Sequence, residues 1–152
     1  MSTLEQLIEK IGRDTAARIL ETHIRENSDT TLTIVANRGV HHLPSQLERG
    51  EVFYASEGSL DFSSIDAVNK QYVSILSAAA SKLKSKKWSK IYLVPFGHNS
   101  LIMQLKLLIY RITHIESVDI FYDGKGNYYD LAINQREIIV LSAEDASNER
   151  AV

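Results

Sequence analysis

Leu4, Leu7, Ile8 and Ile11 recur at i, i+3, i+4 and i+7, the spacing that lays apolar side chains along one stripe of an α-helix. Gly12 then shifts the phase. Asp14 is placed to cap a second stretch that carries Ala17, Ile19, Leu20 and Ile24. Residues 3–25 therefore read as one bent helix or two short ones, closed by Asn27-Ser28-Asp29. The pattern then becomes β-like: residues 31–36 (TLTIVA) and 51–55 (EVFYA) are short and rich in β-branched or aromatic side chains. A long loop from Asn37 to Gly50 separates them. After the loop SEGSLDFSS, in which Ser63 or Ser64 can cap, residues 65–84 form a helix with Ile65, Val68, Tyr72, Ile75, Leu76, Ala79 and Leu83 on one broad face.

Residues 90–95 are apolar at nearly every position, as a strand covered on both faces must be. A helix over 100–113 follows, with Leu101, Leu105, Leu108, Ile109 and Ile112 facing inward. Residues 117–122 read as a strand, DGKGN as a hairpin turn, and 128–133 and 137–142 as the last two strands. The tail AEDASNERAV reads as flexible. The alternation of strand and helix in the middle of the chain predicts a parallel sheet with right-handed crossovers. The expected architecture is a Rossmann-like three-layer α/β fold. It has a mostly parallel central sheet, an antiparallel C-terminal hairpin and an N-terminal helix, with residues 1–142 as a single domain and 143–152 as the tail.

Composition narrows this picture. The chain has 152 residues, the size of one ordinary domain. At 44% hydrophobic and 24% charged it is globular in type. A net charge of −2 gives no global attraction to nucleic acid or anionic lipid. With no cysteine, thiol nucleophiles, thiolate metal sites and disulfides are excluded. No signal-peptide or membrane-spanning run is present, and LIMQLKLLIYRI is broken by Lys106. The expectation is a cytoplasmic protein without a membrane partner or cofactor.

In such sheets ligands bind beyond the carboxyl ends of the strands. The loops there carry Asn37, Arg38, Gly39, His41 and His42 after the first strand, then Ser56 to Ser59 after the second. Gly97, His98, Asn99 and Ser100 follow the third, and Asp123, Gly124 and Lys125 the fourth. The run FGHNS opens a helix, so its N–H groups face outward at the positive end of the dipole, and Gly97 lets a ligand approach the backbone. Either this run binds an anion with His98 projecting into the crevice, or Gly97 eases a turn, Asn99 or Ser100 caps, and His98 is solvated. Arg38 suits bidentate phosphate recognition. The adjacent His41-His42 pair lacks metal-ligand spacing, and no metal is expected. The lysines at 82, 84, 86, 87 and 90 read as a solvated helix end, with Trp88 a packed anchor. One of Tyr110, Tyr122, Tyr128 and Tyr129 could stack on a base.

IYLVPFGHNSLIMQLKLLIY followed by VDIFYDGKGNYYDLAI resembles the order of elements in SAVED and CARF domains, the Rossmann-like sensors of cyclic oligonucleotides in bacterial defence. The two stretches run from 91 to 133, 43 residues, in a pattern with few fixed positions. The resemblance implies a cyclic oligonucleotide bound at Gly97, His98, Asn99 and Ser100, and at Asn37 and Arg38. It also implies a homodimer, because the chain holds only one of the two halves that a SAVED domain contains. Three roles fit the chain: a non-enzymatic binding module for a nucleotide-like anion, expected from the Gly, His, Asn, Ser and Arg residues clustered at the strand ends; a metal-independent ring nuclease using His98, His41 or His42, with Arg38 stabilising the phosphorane; and an adaptor or immunity subunit with an effector-protein partner, to which the edge strand 137–142 could pair. Asn37, Arg38, Gly97, His98, Asn99, Ser100 and Lys125 are the expected ligand contacts.

Overall fold

Two central strands organise the molecule. In the computed structural model, which describes residues 2–28 (side chains as far as His23), 30–40 and 42–150, β1 (Thr31–Val35) and β3 (Lys90–Val94) lie side by side, in parallel. β2 (Glu51–Tyr54) flanks β1, and β4 (Val118–Tyr122) flanks β3, both again parallel. β5 (Tyr128–Leu131) pairs antiparallel with β4, giving the order β2-β1-β3-β4-β5. This is the Rossmann-like α/β fold expected from the alternating pattern.

The central strands are buried on both faces because each face has its own cover. Alternate residues Leu32, Ile34, Ile91 and Leu93 pack against Ala79 and Leu83 of α3 (Ile65–Lys84) and Leu101, Leu105 and Ile109 of α4 (Asn99–Thr113). Their neighbours Val35, Tyr92 and Val94 face the other way, onto Leu43 and Leu47. The second face is thus covered by the segment between β1 and β2, whose described residues include the 3₁₀ turn Ser45–Leu47. Thr33, fully buried on that face, donates to the Arg49 carbonyl at 2.7 Å and so ties this segment down. Gly50, at φ +65°, brings the segment's end so close to Thr31 that any Cβ would strike its carbonyl. Trp88 is the expected anchor: it is buried, and its indole N–H donates to the Leu83 carbonyl at 3.1 Å.

The N-terminal region forms two helices, α1 (Thr3–Ile11) and α2 (Arg13–Ser28). Ser2 caps α1 in a capping box with Glu5, and Gly12 at φ +88° turns the chain between them. The C-terminal region corrects the sequence reading. Residues 137–142, expected as a strand, and 143–150, expected as an irregular tail, form the single helix α5 (Gln135–Arg150). Ile138 to Leu141 gave a strand-like run of four, but the window extends into the strong helix formers Ala143, Glu144, Ala146, Glu149 and Arg150. Asn134 starts the helix, its side-chain oxygen accepting from the Arg136 N–H at 3.0 Å. The sheet therefore ends at β5, and residues 137–142 offer no strand edge to a partner.

Candidate functional site

The order β2-β1-β3 places a topological switch point between β1 and β3. From β1 the chain turns outward to β2 across one face, then returns to β3 through α3 on the other. Beyond their ends the chain leaves β1 toward one face and β3 toward the other, and a crevice opens beside the junction of the two loops at the carboxyl ends, walled on its far side by β4 and β5. It has a volume of about 490 Å³ and is lined by Asn37, Gly39, His42, Pro95, Phe96, Gly97, Ile120, Tyr122 and Tyr128.

Local sequence builds this crevice. Pro95 has no N–H and ends the β3 ladder. The Phe96 N–H folds back to the Val94 carbonyl at 2.9 Å, a three-residue turn around Pro95. Phe96 joins the core cluster on the face of Val94 and Ile120, with its ring 6.3 Å from that of Tyr128. Gly97 sits at φ +119°, and a Cβ there would lie 2.9 Å from the Cβ of Asn37. Only glycine lets the two strand-end loops touch this closely. On the far wall the antiparallel register sets Tyr122 opposite Tyr128, their rings 5.0 Å apart. The outcome is a cleft walled by three aromatic rings.

Asn37 is the structural pin of the rim. Its amide donates to the Gly58 carbonyl at 3.0 Å, and the Ser56 hydroxyl lies 3.0 Å from its side-chain oxygen. Arg38 extends the pairing of β1 with β2 through a bridge to Glu57. Its guanidinium is 3.8 Å from the Glu57 carboxylate and 5.0 Å from the Tyr54 ring, and both ends of this pair are exposed.

The structure divides the expected ligand contacts between two sides of the rim. Asn37 and Gly97 line the crevice, together with the catalytic candidate His42. His98 does not enter it: its ring lies against Phe62, centroids 4.8 Å apart, on the side covered by α3. Nor do Asn99 or Ser100 cap α4, as the residue preferences suggested. His98 is the N-cap, its Nδ1 accepting from the Ser100 N–H at 3.2 Å. The Ser100 hydroxyl bridges His98 Nδ1 and the Tyr72 hydroxyl of α3, each at 2.7 Å. The Ser100, Leu101 and Ile102 N–H groups at the start of α4 are thus satisfied by His98 itself. Lys125 lies in the turn between β4 and β5, where Asp123 accepts from the Lys125 and Asn127 N–H groups, and it is not a lining residue. The backbone bonds lower the Asp123 pKa, behind the larger effect of the Asn127 side chain. His41 lies outside the described residues.

Phe96, Ile120, Tyr122 and Tyr128 are the crevice residues that strand-end reasoning undervalued. The signal was present in the hairpin: Ile120, Tyr122 and Tyr128 share one face once the turn is fixed by DGKGN. Among the described residues there is no group of three histidines and carboxylates placed to hold a metal ion, and no helix long and apolar enough to cross a membrane. No protein-family model, curated protein or solved structure matches the chain.

Proposed function

We propose that the protein is a binding module for a nucleotide-like ligand, with cyclic oligonucleotides the leading class, and that a base of that ligand stacks in the aromatic crevice at the β1–β3 switch point. One observation carries this reading: Phe96, Tyr122 and Tyr128 converge where α/β sheets receive ligands. Base–aromatic stacking is worth about 1–3 kcal/mol per base, and a cleft of about 490 Å³ lies within the common range for small-molecule sites. His42 on the wall and Arg38 on the adjoining loop supply cationic or hydrogen-bonding partners for phosphate. The likeness of IYLVPFGHNS and VDIFYDGKGNYY to SAVED and CARF sequences points to the same ligand class and to a role in defence. Calorimetric titration with cyclic di- and trinucleotides and with mononucleotides tests the proposal. Binding by at least one, weakened by Tyr122→Ala, is expected, and no heat from any member of the panel refutes it.

A second reading, hydrolysis of such a ligand, is favoured by one contact. The Ser100 hydroxyl is within hydrogen-bonding distance of His98 Nδ1, the separation of a nucleophile from its base. Against it, that nitrogen already accepts the Ser100 N–H, and both residues face α3 and Phe62, away from the aromatic crevice. Incubation of the same panel with the protein, followed by chromatography, separates the readings. Binding alone leaves every ligand intact, and catalysis yields linear products that Ser100→Ala abolishes.

A further inference from the structure

The largest feature that the crevice does not explain is apolar surface on the helical side of the outer sheet. Asp119 of β4 meets Lys106 of α4 at 2.6 Å, so this is the face of β4 that α4 approaches. Strand alternation sets Phe121 on the same face. The antiparallel register places Tyr129 opposite Phe121 and Leu131 opposite Asp119. Yet α4 does not cover them: Phe121, Tyr129 and Leu131 are 52%, 54% and 44% exposed. Met103 and Leu107, one turn apart on α4, are also open, and they line a groove together with Lys106 and the start of α5.

α5 reaches this groove but leaves most of its apolar surface bare. Arg136 donates to the Tyr110 hydroxyl at 3.0 Å, and Ile139 lines the groove. Ile138, Ile139, Val140 and Leu141 nevertheless remain between 53% and 66% exposed. Four consecutive apolar residues point to all sides of a helix, and a turn of that kind needs cover on all sides.

We propose that this face binds a second copy of the chain about a two-fold axis, with α5 of each protomer laid over the β4–β5 hairpin of its partner. Two observations select a second copy as the occupant. The first is area. The exposed fractions on the hairpin and α4, with the part of α5 turned to the same side, amount to roughly 800 Å² of residue surface, against about 300–600 Å² for the largest patch on a typical monomer and about 800 Å² per partner in a stable interface. The second is self-complementarity. The same face carries both a projecting apolar helix and an uncovered sheet of the kind a helix covers, and a two-fold axis pairs one with the other.

Light scattering coupled to size-exclusion chromatography of the full chain tests this at micromolar concentrations. The expected mass is twice the 17.1 kDa of one chain. Phe121→Glu and Leu141→Glu each return the mass to that of one chain, with the circular dichroism spectrum unchanged. Leu7→Glu, on the separate apolar stripe of α1, leaves the dimer intact. Because the chain has no cysteine, a spin label at Met103→Cys reports the arrangement directly through a short distance between protomers. A single-chain mass for the unaltered protein, an oligomer that survives both glutamates, or one dissociated by Leu7→Glu alone overturns the proposal.

Discussion

Replacing His98 by alanine removes the acceptor that holds the first turn of α4 and the ring that packs on Phe62. Loss of an N-cap acceptor costs about 1 kcal/mol. The ring pair adds only about 0.5 kcal/mol, the low end for aromatic contacts, because His98 is exposed and Phe62 is 48% exposed. The Ser100 hydroxyl keeps Tyr72 as a partner, so no buried group is orphaned. A loss of about 1.5 kcal/mol lowers Tm by about 3–6 °C in a domain of this size. His98→Asn supplies an acceptor of the favoured capping type and recovers about 1 kcal/mol of that loss. Thermal unfolding followed by circular dichroism measures both variants, and titration with whichever nucleotide the unaltered protein binds measures the site. The expected result is a destabilised Ala variant, a largely restored Asn variant, and unchanged affinity in both. An Ala variant as stable as the original, or an equal loss of affinity in both variants, refutes the assignment of His98 to the cap.

Tyr122→Ala removes one wall of the crevice from a half-exposed position. It should weaken nucleotide binding by roughly 5- to 150-fold, the equivalent of one stacked base, as read by calorimetry, with a loss of stability of only about 0.2–1 kcal/mol from the lost Tyr128 pair. Gly97→Ala forces a Cβ to within 2.9 Å of the Asn37 Cβ at φ +119°. It should cost about 1–3 kcal/mol in chemical denaturation, and an unchanged midpoint would show that the two loops can separate freely. Glu51 has its pKa lowered to about 2 by hydrogen bonds from Lys82, at 2.5 Å, and from Lys86. Because the folded value lies below the ordinary 4.5, the stability from this cluster is complete above the ordinary value and is lost as pH falls toward the folded one. Urea midpoints measured across that window should fall more steeply for the unaltered protein than for Glu51→Gln, and equal slopes count against the cluster.

Elements whose signal was periodic were legible in the sequence. Residues 65–84 match α3 at both ends, because Ser64 caps one end and the apolar face runs unbroken to Leu83. The strands around Ile34 and Leu93 were visible because burial on both faces demands a continuous apolar run. Residues 137–142 were misread because four adjacent apolar residues carry no period, and only helix propensity over a longer window decides between strand and helix. At the site, chain position correctly located the rim but not the direction of each side chain. His98 and Gly97 are neighbours in sequence, yet Gly97 lines the crevice and His98 turns to Phe62. That division depends on the turn around Pro95 and on the tertiary partners Phe62 and Tyr72, which residue types alone do not reveal. The aromatic wall was undervalued for a related reason. Tyrosines on a hairpin become walls of one crevice only when register and a neighbouring strand bring Phe96 against them.

The most direct test of the binding account is a crystal structure of the protein with the nucleotide that binds most tightly in the calorimetric panel. The account predicts density for a base in the crevice between β1 and β3, within stacking distance of Phe96, Tyr122 or Tyr128, with phosphate toward His42 and Arg38. Density beside His98 at the first turn of α4, or elsewhere with the crevice empty, would contradict it.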